Sequence, residues 1–354
     1  MRLSSVSHAP GYPELGIDGQ LTCEGCEERY PIIAGTARML PRAFRATMIR
    51  DYPLAFGAFS EGDALNLFPG EEDPEFAIKR RTVDSFAYEW NHFGALREEW
   101  QRNFLDYMRP LERAWFADRC VLDVGAGSGR HSFHAAKCGA HVVAVDLGAS
   151  IDVARRNLPS EVLTVQADAE RLPFARESFD LVMSIGVLHH LPQPERALER
   201  LVPLARPGGH VHVYLYWVPE HAGHAGVLRL VTAARRMTVH LPHRLLHALS
   251  LPLSAALMAG IVAPHRALRR RPRGRRIAEA LPLKTYADYP FAVLVNDQFD
   301  RFSAPLERRY TRKEVESMLT RAHLEHVRVI ANNGWIGDGT TPAPGNSSTT
   351  DLVA

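Results

Sequence analysis

The chain has 354 residues, 46% of them hydrophobic, which is enough to bury a sizeable core and rules out an extended, disordered protein. Its 42 basic and 40 acidic residues leave a net charge of +2, so no global field draws it to nucleic acid and any basic patch must be argued locally. Four cysteines exclude a secreted disulfide scaffold, and the start MRLSSVSHAP lacks the apolar run of a signal peptide, so the expected location is cytoplasmic.

In chain order, the first feature is LTCEGCEERYPIIAGTARML, with a C-x-x-C made by Cys23 and Cys26. A structural zinc needs four ligands, usually from two such pairs. Where a first pair would fall, the chain reads LSSVS, with Ser4 and Ser7 at the right separation and His8 just beyond; neutral hydroxyls are poor zinc ligands, so no metal is expected. Next comes SFAYEWNHFG, Ser85 to Gly94, dense in aromatic residues and histidine: an amphipathic helix covering a sheet, or a lid that excludes water.

The stretch CVLDVGAGSGR then predicts strand, glycine turn, and a helix from near Ser128. Glycines let a ligand approach the backbone, and the first helical N–H groups favour an anionic group there. The spacing is D-x-G-x-G-x-G, from Asp123, Gly125, Gly127 and Gly129; the dinucleotide fingerprint would need glycine where Arg130 stands. Four more strands follow. HVVAVD ends in Asp146, VLTVQ is followed by Asp168, FDLVMSI runs into the Leu188–Leu191 string LHHL, and a fifth follows the Pro207–Gly209 turn. Strands alternating with helical segments imply an α/β, doubly wound, mostly parallel sheet with a ligand at its carboxyl edge.

These residues resemble the class I S-adenosylmethionine-dependent methyltransferases, of the type 11-like group, which implies a Rossmann-like sheet of the seven-stranded type and S-adenosyl-L-methionine as cofactor. The resemblance places Asp123, Gly125, Ala126, Gly127 and Gly129 under the methionine moiety, Asp146 and Leu147 at the ribose, Asp168 and Ala169 at the adenine edge, and Ser184, Ile185 and Gly186 along the cofactor. His189 and His190 follow the fourth strand near the methyl end. Imidazole, with an unperturbed pKa of about 6.5, suits a general base, though in the resembling family the pair often holds the loop; Tyr88 and Tyr310 are alternatives. The N-terminal segment resembles a degenerate form of the small zinc-ribbon-like activators of tRNA methyltransferases.

After the fifth strand comes a long insertion. Leu245 to Pro264 is a 20-residue apolar stretch, and seven arginines fall between Arg266 and Arg276. Pro252 and His247 interrupt the apolar run, so the expectation is a buried helical hairpin in a cap over the pocket; the second reading is a cap that dips into a membrane interface through 245–276. No aromatic residues interleave with the arginines, which counts against nucleic acid. Thr311 and Glu314 form a capping box before Val315, Met318, Leu319 and Ala322, and HVRVI reads as a strand.

The resulting organisation is a ribbon-like segment over 1–45, linker and helical lid over 46–115, core over 116–217, cap over 218–300, the rest of the core over 301–340, and a disordered tail over 341–354. The expected activity is methyl transfer to a small-molecule or lipid-linked acceptor, at oxygen. Alternatives are transfer to carbon or nitrogen of a quinone-like or other metabolite, and a non-catalytic cofactor-binding partner protein.

Overall fold

The structure is a computed structural model and describes residues 2–8, 17–23, 25, 28–41, 44, 74–97, 100–218, 222–271, 274–280 and 284–343. The linker over 46–73, the end of the tail over 344–354, Cys26, and the side chains of Ser4, Ser7 and His8 lie outside the described residues. Two compact units emerge: Met1–Val83 with Gly94–Val218 and Leu306–Ala354, and Asp84–Phe93 with Pro219–Pro305.

Among the described residues, the first unit is built on one 11-stranded sheet. Its centre is five parallel strands: β5 (Cys120–Val124), β6 (His141–Asp146), β7 (Leu163–Gln166), β8 (Phe179–Ile185) and β9 (Ala205–Leu215), in the order β7-β6-β5-β8-β9. Beyond β9 lie β11 (Trp335–Thr340) and then β10 (Glu325–Ala331), both antiparallel to their neighbours. Alternation along each strand feeds two cores, one per face. Leu122, Val124, Val145 and Val182 join one cluster with Leu198, Leu201, Val315 and Leu319. Val121, Val142, Ala144 and Leu181 join the other with Phe104, Phe116, Ile151 and Ala154. The covering helices include α2 (Gln101–Tyr107), α3 (Arg130–Lys137), α4 (Ser150–Asn157), α5 (Pro194–Leu201) and α11 (Arg312–Arg321). The capping box of α11 is present, with the Thr311 Oγ1 accepting from the Glu314 backbone N–H and the Glu314 carboxylate accepting from the Thr311 N–H. Helix α3 starts two residues later than Ser128, because Gly129 sits at φ +83° and only then does helical backbone begin.

The N-terminal segment is not separate from this sheet. Strands β1 (Arg2–His8), β2 (Ile17–Thr22), β3 (Arg29–Ile33) and β4 (Thr36–Arg38) form an antiparallel series, and β4 pairs in parallel with β7, Thr36 opposite Thr164 and Arg38 opposite Gln166. The join is polar and buried. Thr36 and Thr164 hydroxyls are 2.8 Å apart, and Arg38, fully buried, donates to Gln166 Oε1 at 3.0 Å, the Ile33 carbonyl at 3.2 Å and Asp152 Oδ1 at 2.5 Å.

The second unit is helical. Helix α1 (Pro74–Phe93) contributes its residues from Asp84 on, followed by α6 (Ala222–Thr238), α7 (His243–Leu257), α8 (Ala263–Arg269), α9 (Arg275–Ala280) and α10 (Phe291–Ser303). A π-helical turn over Met258–Val262 joins α7 to α8, so Leu245 to Pro264 lies in one continuous helical run and not in a hairpin. Pro252 does not break it. A second correction concerns burial: Leu245, Leu249, Leu251 and Leu253 are exposed, and the face that packs inward carries Ser250 and Ser254 beside Leu246 and Val262.

Candidate active site

The carboxyl ends of β5, β6, β7 and β8 bring the sequence-marked residues together. At the end of β5 the chain must turn sharply: Gly125, Gly127 and Gly129 have φ of +82°, +55° and +83°, in the left-handed region that a Cβ disfavours. At Gly125 the requirement is doubled, since a Cβ there would meet Val187 Cγ2 at 2.2 Å. The glycine turn and the loop after β8 are therefore in direct contact. The N–H groups of Gly125 and Ala126 both donate to the Val145 carbonyl at 2.8 Å, tying the turn to β6, and Ser184 Oγ donates to the Val124 carbonyl at 3.0 Å, tying it to β8. Gly186, at φ +79°, has open space around it, and its N–H donates to the Tyr214 carbonyl at 3.2 Å.

Two carboxylates flank the turn. Asp123, buried, accepts from Ser132 Oγ at 2.6 Å, and burial pushes its pKa up to about 6 despite that hydrogen bond. Asp146 accepts from the Gly148 N–H at 2.8 Å and Ser150 Oγ at 2.7 Å on Oδ1, and from the Gly127 N–H at 2.9 Å on Oδ2. Burial raises its pKa, and those three donors oppose the rise. A carboxylate offers about four acceptor sites, so Oδ2 retains capacity for a further donor such as a ribose hydroxyl. Leu147 follows, its carbonyl accepting from Gln166 Nε2 at 3.1 Å; through Gln166 the loop is linked to Arg38.

Asp168 departs from the simple expectation of an acid waiting for a ligand. Lys79 Nζ lies 2.7 and 2.6 Å from its two oxygens and 2.7 Å from Glu170 Oε2, and the Glu170 N–H also donates to Asp168 Oδ1 at 3.0 Å. Ala169 sits between these two acids. Lys79, on the part of α1 that belongs to the first unit, is buried, and neither it nor Arg38 carried any motif signal in the sequence.

The histidine pair lies on a 3₁₀ turn, Leu188–His190. His189 is fully buried, and burial, with His190 and Arg309 nearby, holds its pKa well below the ordinary value. Its ring lies 4.0 Å from that of Tyr216, tilted by 34°. The His190 Nδ1–H donates to the Leu306 carbonyl at 2.6 Å, while the Arg308 N–H donates to the His189 carbonyl at 2.9 Å. The pair thus ties the loop after β8 to residues 306–308. Tyr310 is buried and its hydroxyl pushed up to about 12, so it stays protonated. Tyr88 belongs to the second unit, its hydroxyl 3.3 Å from His247 Nδ1 in a ring cluster with His92, His243 and Phe299. Among the described residues no group of three or more His, Cys, Asp or Glu is placed to hold a metal ion.

At this edge the glycine turn lies against Val187 at Gly125, Asp146 keeps acceptor capacity on Oδ2, and Asp123 is buried beside the turn. A family model described as a methyltransferase domain matches residues 122–213. The chain is 37% identical over 102 residues to a demethylmenaquinone methyltransferase of Clavibacter sepedonicus, covering 28% of this chain and 42% of that one. It is 30% identical over 124 residues to a ubiquinone biosynthesis O-methyltransferase of Aeromonas salmonicida, covering 31% and 51%. It therefore spans about half or less of the length of these curated relatives. Among solved structures, a methyltransferase of Haloferax volcanii in complex with the Trm112 methyltransferase activator aligns over 74% of this chain and 97% of that one, at 15% identity and a TM-score of 0.41. Residues 122–213, with the glycine turn and the strand-end acids they carry, are a class I S-adenosylmethionine-dependent methyltransferase domain.

Proposed function

We propose that the whole chain is a methyltransferase that moves the methyl group of S-adenosylmethionine to a small-molecule or lipid-linked acceptor, at an oxygen atom. The observation that carries this reading is the constellation at the sheet edge, in which Asp146 and the glycine turn are locked to each other by the Gly127 N–H bond and to β8 through Val187 and Ser184. When bound there, S-adenosylmethionine supplies an electrophilic methyl group on a sulfonium. What remains for the protein is to bind, to orient and to exclude water, and positioning alone can supply up to roughly 7 to 11 kcal/mol of the barrier.

The histidines fit positioning better than proton transfer. His189 is buried and held neutral, and the His190 Nδ1–H is committed to Leu306, so the pair fixes the loop after β8. The oxygen assignment draws support from the Aeromonas relative, which by name is an O-methyltransferase. The Clavibacter relative, by name acting on demethylmenaquinone, favours a second reading: transfer to a quinone-like ring. The test is label transfer from methyl-labelled donor into fractionated cell extract, followed by identification of the labelled atom. A methyl ether or ester supports the first reading, a ring-carbon methyl the second; label confined to protein or nucleic acid would contradict both.

A further inference from the structure

The helical run from His243 to Arg269 has 27 residues, long and apolar enough by length and composition to cross a membrane, yet only 22% of its most apolar window is buried. Apolar residues lie on its outward face as well as its inward one. Its inward face carries Leu246, Ser250, Ser254, Val262 and His265, with Ser250 Oγ donating to the Leu246 carbonyl at 2.9 Å and Ser254 Oγ to the Leu294 carbonyl of α10 at 3.5 Å. Its outward face carries Leu245, Leu249, Leu251 and Leu253, between 38% and 48% exposed. No Lys, Arg, Asp or Glu interrupts the run between Arg244 and Arg266. A water-facing helix would carry polar or charged residues on that outward face. In the same unit α6 exposes Leu230 and Met237, 73% and 75%, two turns apart on one face. The inward face packs on the unit's own α10.

Charge says what covers these faces. Residues 219–305 hold 13 basic and 5 acidic residues, although the whole chain carries only +2. The structure also reduces the number of arginines available from the seven in the sequence. Arg266 donates to the carbonyls of Ala287 and Tyr289 at 2.8 and 3.2 Å, and Arg269 pairs with Asp288 at 2.7 Å. Arg270 and Arg271 are exposed and have no carboxylate partner among the described residues. Where the apolar run ends, His265, Arg269, Arg270, Arg275 and Ala278 line a cavity of about 480 Å³. The buried His265 donates from Nδ1 to the Ala278 carbonyl at 3.0 Å, which fixes its ring in the wall. An unpartnered apolar stripe next to an arginine-lined cavity matches a surface that is apolar below and phosphate-bearing above.

We infer that the second unit docks on an anionic phospholipid bilayer, the leucine face of the His243–Arg269 run entering the headgroup boundary and the arginine-lined end meeting lipid phosphates. This goes beyond the methyl-transfer reading and does not depend on it.

The test is co-sedimentation of the full chain with vesicles of phosphatidylcholine alone and of phosphatidylcholine with phosphatidylglycerol, at low and high salt. The protein should pellet with the anionic vesicles, more weakly with neutral ones, and salt should lower the anionic partition several-fold as the arginines are screened. Leu245→Ser, Leu249→Ser and Leu253→Ser together should lower partition at both salt levels by about tenfold or more. Arg270→Gln with Arg271→Gln should lower it only at low salt, by about fivefold per arginine. Calorimetric affinity for S-adenosylmethionine should be unchanged in both variants, so a failure of docking is distinct from a failure of the methyltransferase reading. Absence of pelleting with anionic vesicles at low salt overturns the inference. So does a serine variant that partitions like the parent, or one that turns a dimer into a monomer without changing partition, since the leucine face would then be covered by a second copy.

Discussion

Replacing Asp146 by alanine separates binding from folding at the residue on which the cofactor assignment depends most. In the folded chain this carboxylate accepts from Gly127, Gly148 and Ser150 at 2.7 to 2.9 Å. Burial nevertheless outweighs those bonds and raises its pKa, so the ionised group is held less well than in water. Removing it forfeits three hydrogen bonds but also removes a buried charge, and the two effects oppose each other. The net change in unfolding free energy should be about 1 kcal/mol or less. Loss of a charge-assisted bond to a ribose hydroxyl has no such offset and should weaken S-adenosylmethionine binding by about 1.5 to 3 kcal/mol, roughly 10- to 150-fold. Isothermal calorimetry and denaturant unfolding on the same preparations measure both quantities. Unchanged affinity, or an affinity loss matched by an equal loss of stability, would refute the reasoning.

Gly125→Ala should lower cofactor affinity by more than tenfold, because the new Cβ meets Val187 and is forced to φ +82°; adding Val187→Ala should restore part of it, and no effect in calorimetry would contradict the cradle. Lys79→Met leaves the Asp168 and Glu170 carboxylates without their shared ammonium and should destabilise the fold by about 3 kcal/mol in urea unfolding; a change below about 1 kcal/mol would show that the pair is not structural. Asp123 titrates near pH 6 when folded and near 3.8 when unfolded, so between about pH 4 and pH 6 the unfolded chain has lost a proton the folded chain keeps. Its contribution to stability therefore falls as pH rises through that window, by about 3 kcal/mol in all. Asp123→Asn should be more stable than the parent at pH 8 and not at pH 3.5; a difference independent of pH would contradict the raised pKa.

The parts legible in the sequence were those with local signals. A buried strand, a glycine turn and a helix announce themselves within CVLDVGAGSGR, because the backbone geometry demands glycine at fixed offsets and the strand demands branched apolar residues. The same holds for the acids at Asp146 and Asp168, which close apolar runs, and for the Thr311–Glu314 cap. Arg38 and Lys79 were invisible because their partners, Gln166, Asp152, Asp168 and Glu170, lie far along the chain, and a pairing across such distances leaves no periodicity. Strand β4, only three residues long, could not be seen to extend the parallel sheet. The insertion misled for a different reason. Composition records that Leu245 to Pro264 is apolar but not which face turns inward, and Leu246, Ser250, Ser254 and Val262 turn inward while Leu245, Leu249, Leu251 and Leu253 stay exposed.

The methyl-transfer activity is measured by transfer of label from methyl-labelled S-adenosylmethionine into cell extract, with the parent chain and Asp146→Ala side by side. The parent should label an organic-extractable or other low-molecular-weight acceptor, and the variant should do so at a rate, at subsaturating donor, lower by roughly 10- to 150-fold. Equal label with both chains would contradict the methyl-transfer reading, as would a parent chain that binds the donor and labels nothing.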